Sequence, residues 1–287
     1  MVRTSVGSMI SMPTIAYQGE PGAFSEQAAQ SFFGPSARLL PLESFKDVFQ
    51  HAAKHPANFG IVPIENSVYG SVHQNYDLLL RHKLFIVGEV KLRIQLHVMA
   101  LRGVSLKAIR FIYSHPQALG QCEEFLRSLK GASVVAYYDT AGSAKMIQEE
   151  GRRDAAALAS ARAAQAYGLR ILRRNVESNH HNYTRFIVLS RRATVPTRHA
   201  KMSLVFAVKD IPGALFKALA VFALREINLL KIESRPLVGR PWEYLFYLDI
   251  EGTQSDERVR QALDHLGELA TFVRILGCYP AGKTIRS

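Results

Sequence analysis

The sequence predicts an α/β domain followed by a smaller domain with the element order βαββαβ. In residues 14–190, short apolar runs typical of buried strands alternate with helical stretches, which favours an α/β domain with mostly parallel sheets. Residues 191–200 are polar, contain Pro196 and lack periodicity, so they are predicted to be a linker. Residues 201–280 then follow the βαββαβ order, which is the ferredoxin-like plan.

Each element of the first domain follows from its local pattern. A strand in TIAYQG ends at Gly19, and a helix follows in which alanine and phenylalanine recur at helical spacing. A second helix is predicted near Phe45–Lys54, before the strand FGIVPIENS. Long strands are predicted in residues 84–101, and FIVL (186–189) is predicted to be the last strand. Strand-to-helix units lie between them in IRFIYSHPQALGQCEEFLRSL, SVVAYYDTAGSAKMIQEE and AAALASARAAQAYGL.

The second domain opens with the strand MSLVFAV and an apolar helix that begins at Pro212. Two strands follow in NLLKIESRPL and WEYLFYLDIEG. The amphipathic segment DERVRQALDHLGELA predicts a helix, and FVRILGCY predicts the last strand.

Composition is that of an ordinary globular protein, with 48% hydrophobic and 21% charged residues in a chain of 287. No apolar run approaches the roughly 20 residues of a membrane span, so no membrane association is expected. Residues 1–13 lack the apolar core of a secretory signal and are predicted to be a disordered lead. Cys122 and Cys278 lie far apart outside any CxxC pattern, which predicts free thiols, no zinc and a cytoplasmic location.

The formal net charge of +12 is concentrated between Lys145 and Lys201, where twelve basic residues face four acidic ones. Nucleic-acid binding is one interpretation, but the basic residues are scattered through alanine-rich sequence without an aromatic-rich strand motif, so no nucleic acid is expected. A positive field that attracts small anions is a second interpretation. A solvated basic surface accounts for most of these residues singly.

Polar turns follow the predicted strands of the first domain, in QGEPGAFS, PIENSVYGSV, SHPQAL and DTAGSA. Ligands of open α/β folds bind at the carboxyl ends of strands, and the N–H groups of helix starts suit anions. Ser25, Ser114 and Thr140 are also good helix caps, so each turn taken alone has a purely structural interpretation. Four such turns, together with NYTRF before the last strand, favour a single polar pocket.

Histidines do not form a metal-site pattern. His180 and His181 are adjacent, and neighbouring side chains of an extended segment point to opposite sides. The sequence has no HxxxH or HxH with acidic partners. No metal site is therefore expected, and full activity should survive dialysis against a chelator.

The motif series resembles that of the prephenate dehydratases. It comprises YQGEPGAFSEQAA, PIENSVYGSVHQNYDLL, SHPQALGQCEEFL, DTAGSA, ALASARAAQAYGL and NYTRF. The segment GALFKALAVFALREINLLKIESRP resembles the regulatory ACT domain of the same family. The resemblance extends from about Thr14 to about Tyr279 and is specific because all motifs occur in order.

The resemblance implies that residues 14–190 form a two-lobed catalytic domain like type 2 periplasmic binding proteins, with the active site in the cleft. The chain is expected to cross between the lobes near residues 100–109 and to return at 183–186. The implied reaction is decarboxylating dehydration of prephenate to phenylpyruvate in phenylalanine biosynthesis. Loss of carbon dioxide and hydroxide makes the ring aromatic, so no cofactor is expected.

Thr184 maps to the threonine that this family requires. In a closed cleft its hydroxyl can donate a hydrogen bond to the departing oxygen. Arg185 is expected to hold a substrate carboxylate through two hydrogen bonds, and Asn182 to orient the substrate or Thr184. The resemblance implies further substrate-binding residues, namely Glu65, Asn66, Ser67, Ser114, Gln117, Thr140 and Phe186.

The resemblance also implies that L-phenylalanine is an effector, bound between two ACT domains of a homodimer or homotetramer. The turn IPGALF would receive it, because Gly213 lets a ligand approach the backbone at a helix start. Without the resemblance, Pro212 and Gly213 only start a helix. The expected effector-binding residues are Gly213, Ala214, Leu215, Asn228, Glu233 and Ser234.

Two alternatives follow from the sequence. Arogenate carries an amine where prephenate has a ketone, and the segment FKALAVFALREINL is similar to that of plant-type arogenate dehydratases. A non-catalytic amino-acid sensor is a second hypothesis, against which the intact TRF motif argues. Chorismate mutase activity is not expected, since no helical mutase segment precedes Thr14.

Overall fold

The computed structural model describes residues 13–194, 196, 200–237, 239, 242–282 and 284–285. The predicted lead, apart from Pro13, and much of the predicted linker lie outside these residues. In chain order the elements are β1 (Thr14–Gln18), α1 (Phe24–Phe33), β2 (Arg38–Leu42), α2 (Phe45–Lys54), β3 (Phe59–Asn66), β4 (Gly70–Ser71), α3 (His73–Arg81), β5 (Phe85–Arg93), β6 (His97–Ala100), a 3₁₀ turn (Leu106–Ala108), β7 (Phe111–Ser114), α4 (Pro116–Gln121), α5 (Glu123–Ser128), β8 (Ser133–Ala136), α6 (Thr140–Glu149), β9 (Ala155–Ala159), α7 (Ala161–Ala166), β10 (Arg170–Arg173), β11 (Tyr183–Ser190), β12 (Ala200–Val208), α8 (Ala214–Ala223), β13 (Leu229–Pro236), β14 (Tyr244–Glu251), α9 (Glu257–Leu269), β15 (Ala270–Pro280) and β16 (Thr284–Ile285).

The strands form three sheets. The first has the order β16-β5-β11-β3-β1-β2, with β4 paired to β3, and the second has the order β10-β6-β9-β7-β8. These two sheets are the two predicted lobes. The third, β13-β14-β12-β15, belongs to the predicted βαββαβ domain, whose element order is confirmed.

Strand alternation explains how the third sheet is covered on both faces. One set of β12 side chains, such as Phe206, packs with α8 and α9 in a core of its own. The opposite set, such as Val205, packs with residues of the first lobe, including Tyr76. Tyr247 of β14 joins this second core and donates a hydrogen bond to the carbonyl oxygen of Tyr76 at 2.9 Å.

The expectation of mostly parallel sheets is wrong, because both lobes are mixed. β11 runs antiparallel to both of its neighbours, β3 and β5, and β6 runs antiparallel to β9 and β10. Both strands follow a crossing between the lobes. Such strands enter their sheet without the helical crossover that makes neighbouring strands parallel.

The crossing between the lobes is also earlier than expected. β6 already belongs to the second sheet, so the chain leaves the first lobe between Arg93 and His97 and not at residues 100–109. The apolar run of residues 84–101 hides this break, since buried strands of both lobes have the same composition. The return lies between Arg173 and Tyr183, immediately before the TRF motif.

Candidate active site

A cavity of about 500 Å³ lies between the two lobes, and both lobes and the connecting segments supply its walls. Three of the predicted polar turns meet there, after β1, β7 and β8, as does the end of β3. The lining residues are Gln18, Ala23, Phe24, Ser25, Glu43, Ser44, Phe45, Pro63, Asn66, Val72, Gln74, Ile94, Leu96, His115, Gln117, Ala118, Gln121, Tyr138, Asp139, Thr140, Thr184 and Phe186.

Helix starts are a source of positive potential in this cavity, whose lining also includes the carboxyls of Glu43 and Asp139. Among the described residues that line it there is no lysine or arginine. The first residues of α1, α2 and α6 line it, and no side chain caps α1 at Ala23. In α6 the Asp139 carboxylate accepts from the Gly142 N–H at 2.8 Å, and burial raises the pKa of this carboxyl. Free N–H groups at helix starts favour a bound anion.

Thr184 lines the cavity, and Asn66 on the neighbouring strand holds its hydroxyl oxygen. The Asn66 side-chain oxygen accepts from the backbone N–H groups of Val68 and Tyr69, at 2.9 and 3.0 Å. Backbone N–H groups only donate, so the amide nitrogen of Asn66 must face the other way. It lies 3.0 Å from the Thr184 hydroxyl oxygen, to which it donates. The hydroxyl hydrogen of Thr184 is therefore free to point at a ligand.

Asn182 forms a hydrogen bond with the Asn66 side chain of this pair. It is buried, and its side-chain oxygen accepts from the Asn66 amide nitrogen at 2.8 Å. Its own amide nitrogen is buried without a hydrogen-bond partner among the described residues. The structure thus places Asn182 beside the Asn66–Thr184 pair, and its expected orienting role stays a prediction.

Gln117, Thr140 and Phe186, which the sequence assigned to substrate binding, all line the cavity. Ser114 does not line it. Its side chain is fully buried and donates to the carbonyl oxygen of Leu158 at 2.6 Å, within the second sheet. Its assignment is therefore wrong, because a hydrogen bond inside the lobe already uses its hydroxyl.

Ser67 also lies outside the cavity lining. Its hydroxyl donates to the carbonyl oxygen of His181 and accepts from the N–H of Tyr183, both at 2.9 Å. These bonds join the end of β3 to the segment that returns from the second lobe. Ser67 thus fixes the hinge, and its assignment to substrate binding is wrong.

The assignment of Arg185 to a substrate carboxylate is wrong. Thr184 faces the cleft, so alternation along β11 turns Arg185 to the other side of the sheet. There it donates to Glu89 at 2.6 Å, to Asp249 at 2.6 Å and to the Tyr279 hydroxyl at 3.0 Å. Asp249 and Tyr279 belong to the βαββαβ domain, so Arg185 joins two domains.

Glu65 is misassigned for the same reason. It pairs across the strands with Arg185, while its neighbour Asn66 pairs with Thr184. Its carboxylate lies 3.0 Å from the Lys231 ammonium of β13 and 3.9 Å from the Arg185 guanidinium. Glu65 therefore faces the βαββαβ domain and not the cavity.

The sequence argument missed Tyr138, which lines the cavity, and the contacts between the lobes beside it. Tyr138 donates to Glu20 of the first lobe at 3.0 Å, and Lys145 lies 3.1 Å from the same carboxylate. Gly22 has φ of +92°, and an added Cβ would lie 2.6 Å from the Cα of Ala163. The two lobes thus touch directly beside the cavity. The sequence feature that could have predicted this contact is the clustering of turn residues next to Gly19 and Gly22.

The predicted effector residues divide between two surfaces. Gly213 starts α8 in the left-handed conformation at φ +78°, with nothing within 4 Å of an added Cβ. Asn228 and Ser234 are exposed, and Ala214 and Leu215 are half-buried. Glu233, however, accepts from Ser71 of the catalytic lobe at 2.5 Å. It lies on the opposite face of β13 from Ser234, so its assignment to the same pocket is wrong.

Two family models match this chain. The prephenate dehydratase model matches residues 15–194, and the ACT domain model matches residues 202–268. The chain belongs to the prephenate dehydratase family. A relative from Arabidopsis thaliana, arogenate dehydratase/prephenate dehydratase 2, is 48% identical over 94% of this chain and 74% of its own length. The bifunctional chorismate mutase/prephenate dehydratase of Aquifex aeolicus is 41% identical over 93% of this chain and 73% of its own length.

Solved structures of this dehydratase fold agree closely. The prephenate dehydratase of Arthrobacter aurescens in complex with L-Phe is 32% identical, with a TM-score of 0.86 over 93% of this chain and 90% of that one. A protein described as a novel type of quorum quenching acylase is 38% identical, with a TM-score of 0.86 over 94% of this chain and 98% of that one.

Three further observations concern the described part of the chain. No helix in the described part of the chain is long and apolar enough to cross a membrane. Among the described residues, no three His, Cys, Asp or Glu side chains are grouped so as to hold a metal ion. Cys122 and Cys278 are buried and unpaired, as predicted.

Proposed function

We propose that this chain catalyses the decarboxylating dehydration of prephenate to phenylpyruvate, or of arogenate to phenylalanine. The observation that carries this proposal is the Thr184 hydroxyl in the cavity, whose oxygen is held by Asn66 and whose hydrogen is free. Hydroxide is a poor leaving group, so the departing oxygen needs a hydrogen-bond donor. A hydroxyl aimed at that oxygen stabilises the charge that develops there.

The rest of the cavity suits the same substrate. The start of α1, which no side chain caps, offers N–H groups to a carboxylate. Apolar side chains, among them Phe24, Ile94 and Phe186, can surround the ring. A ring carboxylate held in such a place loses favourable hydration, which promotes its departure as neutral carbon dioxide. Each role is performed by the chain's own groups.

Direct assays test this proposal. Purified protein is incubated with prephenate and separately with arogenate, and phenylpyruvate and phenylalanine are quantified by chromatography. At least one product is expected at enzymatic rates, and the ratio of kcat/KM decides between the two substrates. A folded protein that forms neither product would refute the proposal.

Acyl transfer is a second candidate function. It is favoured by the similarity to the quorum quenching acylase and by the apolar walls of the cavity, where the Thr184 hydroxyl is the candidate nucleophile. The same preparation is incubated with N-acyl amides of different chain length, and amine release is followed. Absence of release while a dehydratase product forms would dismiss this candidate.

We further propose that L-phenylalanine inhibits the enzyme by binding at the start of α8 in a homodimer or homotetramer. β13 is an edge strand of its sheet, so its outer hydrogen-bonding groups are available for a second copy. Leu230 and Ile232 on this strand and Phe216 on α8 are exposed, with 76% of Phe216 accessible. An exposed apolar edge of this kind suits self-association.

Gly213→Val is expected to abolish inhibition by phenylalanine while kcat stays within a few fold. Valine is strained at φ +78°, and its side chain would fill the approach to the helix start. Asn228→Ala is expected to weaken the same binding. Gly267→Ala is the control, since Gly267 also has open space at its Cβ but lies on α9. Calorimetry measures the affinity, and wild-type affinity in Asn228→Ala would contradict the pocket.

The proposal includes no nucleic-acid partner, since the basic residues lack an aromatic-rich strand motif. It also includes a cytoplasmic location, which rests on the buried free thiols of Cys122 and Cys278, typical of reducing compartments. The relative from Arabidopsis thaliana is named as chloroplastic. Fractionation of the native host's cells decides the location.

A further inference from the structure

The cavity floor is a pair of strands whose two faces serve different neighbours. β3 and β11 run antiparallel, with Thr184 opposite Asn66 and Arg185 opposite Glu65. Because side chains alternate, Thr184 and Asn66 face the cavity. Arg185 and Glu65 lie directly behind them and face the ACT sheet.

The ACT sheet binds both residues of this back face. Asp249 of β14 accepts from Arg185 at 2.6 Å, and Tyr279 of β15 accepts from it at 3.0 Å. The Lys231 ammonium of β13 lies 3.0 Å from the Glu65 carboxylate. The ACT domain therefore binds Arg185 and Glu65, which are the chain neighbours of Thr184 and Asn66.

Burial makes the Asp249 contact rigid. Arg185, Asp249, Glu89 and Lys201 are each at most 9% exposed, and their formal charges cancel. Lys201 lies 3.0 Å from Glu89 and 3.4 Å from Asp249, and Ser203 donates to Asp249. Every charge of this group is paired in a space closed to water. Displacing one member would leave the others buried without a partner, which costs much free energy. The guanidinium of Arg185 thus has one favoured position.

We propose that Lys231 and Asp249 of the ACT sheet are positioning residues for the reaction. They fix the backbone of β3 and β11 from behind, and so set the geometry of the Asn66–Thr184 pair in the cavity. The inference deepens the proposed dehydratase function, on which its kinetic part rests. Its structural part concerns only where Thr184 lies.

The position of β13 gives this arrangement a second effect. Lys231 and Glu233 on one face bind Glu65 and Ser71 of the catalytic lobe. Ser234, one of the residues expected to bind the effector, is exposed on the other face. A ligand that displaces β13 displaces the group that holds Glu65, and with it the cavity floor.

Three variants test the proposal in the full chain. Lys231→Met and Asp249→Asn remove the charges that hold the back face, and Asp249→Asn keeps the shape of the side chain. Lys217→Met is the matched control, since Lys217 is an exposed lysine of α8 on the same domain. The first two are expected to lower kcat about tenfold with KM changed less than about twofold, because only alignment of Thr184 is lost. The control is expected to match wild type.

A double-mutant cycle separates positioning from general damage. In a Thr184→Ala background, Lys231→Met is expected to have no further effect on kcat, because the group that it positions is absent. A loss of the same size in both backgrounds would overturn the proposal, as would unchanged kcat in both Lys231→Met and Asp249→Asn.

Methyl NMR gives a readout that does not depend on turnover. In protein labelled at threonine methyl groups, the Thr184 signal is identified by its absence from Thr184→Ser. The chemical shift of this signal is expected to change in Lys231→Met and Asp249→Asn and to stay unchanged in Lys217→Met. An unchanged Thr184 chemical shift in both variants would overturn the inference, and a changed one would support it. Both conclusions hold even if the chain proves to have another activity.

Discussion

Thr184→Ala is expected to lower kcat about 10²- to 10³-fold, the usual effect of removing one donor aimed at a developing negative charge. KM should change less than about twofold, because the hydroxyl acts mainly in the transition state. Steady-state kinetics with prephenate and arogenate measure both constants. Thr184→Ser should retain part of the rate, since serine keeps the hydroxyl but loses the methyl group that fixes its rotamer.

Asn66→Asp tests the direction of the hydrogen bond with no change of shape. The carboxylate would still accept from the N–H groups of Val68 and Tyr69. Its other oxygen would accept the Thr184 hydroxyl hydrogen and turn it away from the cavity. A fall in kcat close to that of Thr184→Ala is expected. Near wild-type kcat in either variant would refute the role of Thr184 as donor.

Arg185→Met is expected to lower the free energy of unfolding by about 3–5 kcal/mol, the typical cost of removing one partner from a buried ion pair. Glu89 and Asp249 would keep their burial and lose the guanidinium that binds both. Urea unfolding followed by circular dichroism measures the effect. Arg258→Met is the control, because Arg258 pairs with Asp256 at the surface and should contribute far less.

The pH dependence of this loss identifies its cause. Burial alone would raise the pKa of Glu89 and Asp249, but the charges of Arg185 and Lys201 hold both below their usual range. Carboxyls of lowered pKa add stability above their unfolded pKa, near about 4, and this stability is lost as pH falls through the folded values. The difference between wild type and Arg185→Met should therefore be largest near pH 7 and shrink below about pH 4. A difference independent of pH would point to lost packing.

The sequence predicted the family, the βαββαβ order and much of the cavity, because the motifs fall in turns that the fold brings together. It failed for Arg185 and Glu65, although both lie in the strongest motifs. Alternation along a strand shows which residues share a face. It shows which face is buried and which meets a polar site only when one face is polar and the other apolar. β11 is buried along nearly its whole length, and FIVL gives no alternation to follow.

The crossing between lobes was misplaced for a related physical reason. β5 and β6 are both buried, and only Ile94, Gln95 and Leu96 separate them. A short apolar connection at a hinge has the composition of the strands it joins, so tertiary pairing alone distinguishes them. The same holds for Ser67 and Ser114, whose hydroxyls are used by partners far away in the chain.

The cavity's reliance on helix starts has a consequence for how its specificity can change. Peptide N–H groups belong to every residue except proline, so the affinity for carboxylates is inherited from the backbone path and survives most substitutions. They also have no ionisation near neutral pH, so their part of this affinity should not vary with acidity, whereas the Asp139 carboxyl in the same lining can titrate. An alanine scan of the lining, Thr184 apart, would leave it largely intact and would report mainly on shape. Descendants of this chain that accept a different anion would be expected to differ in the size and outline of the cleft, with its charge pattern unchanged.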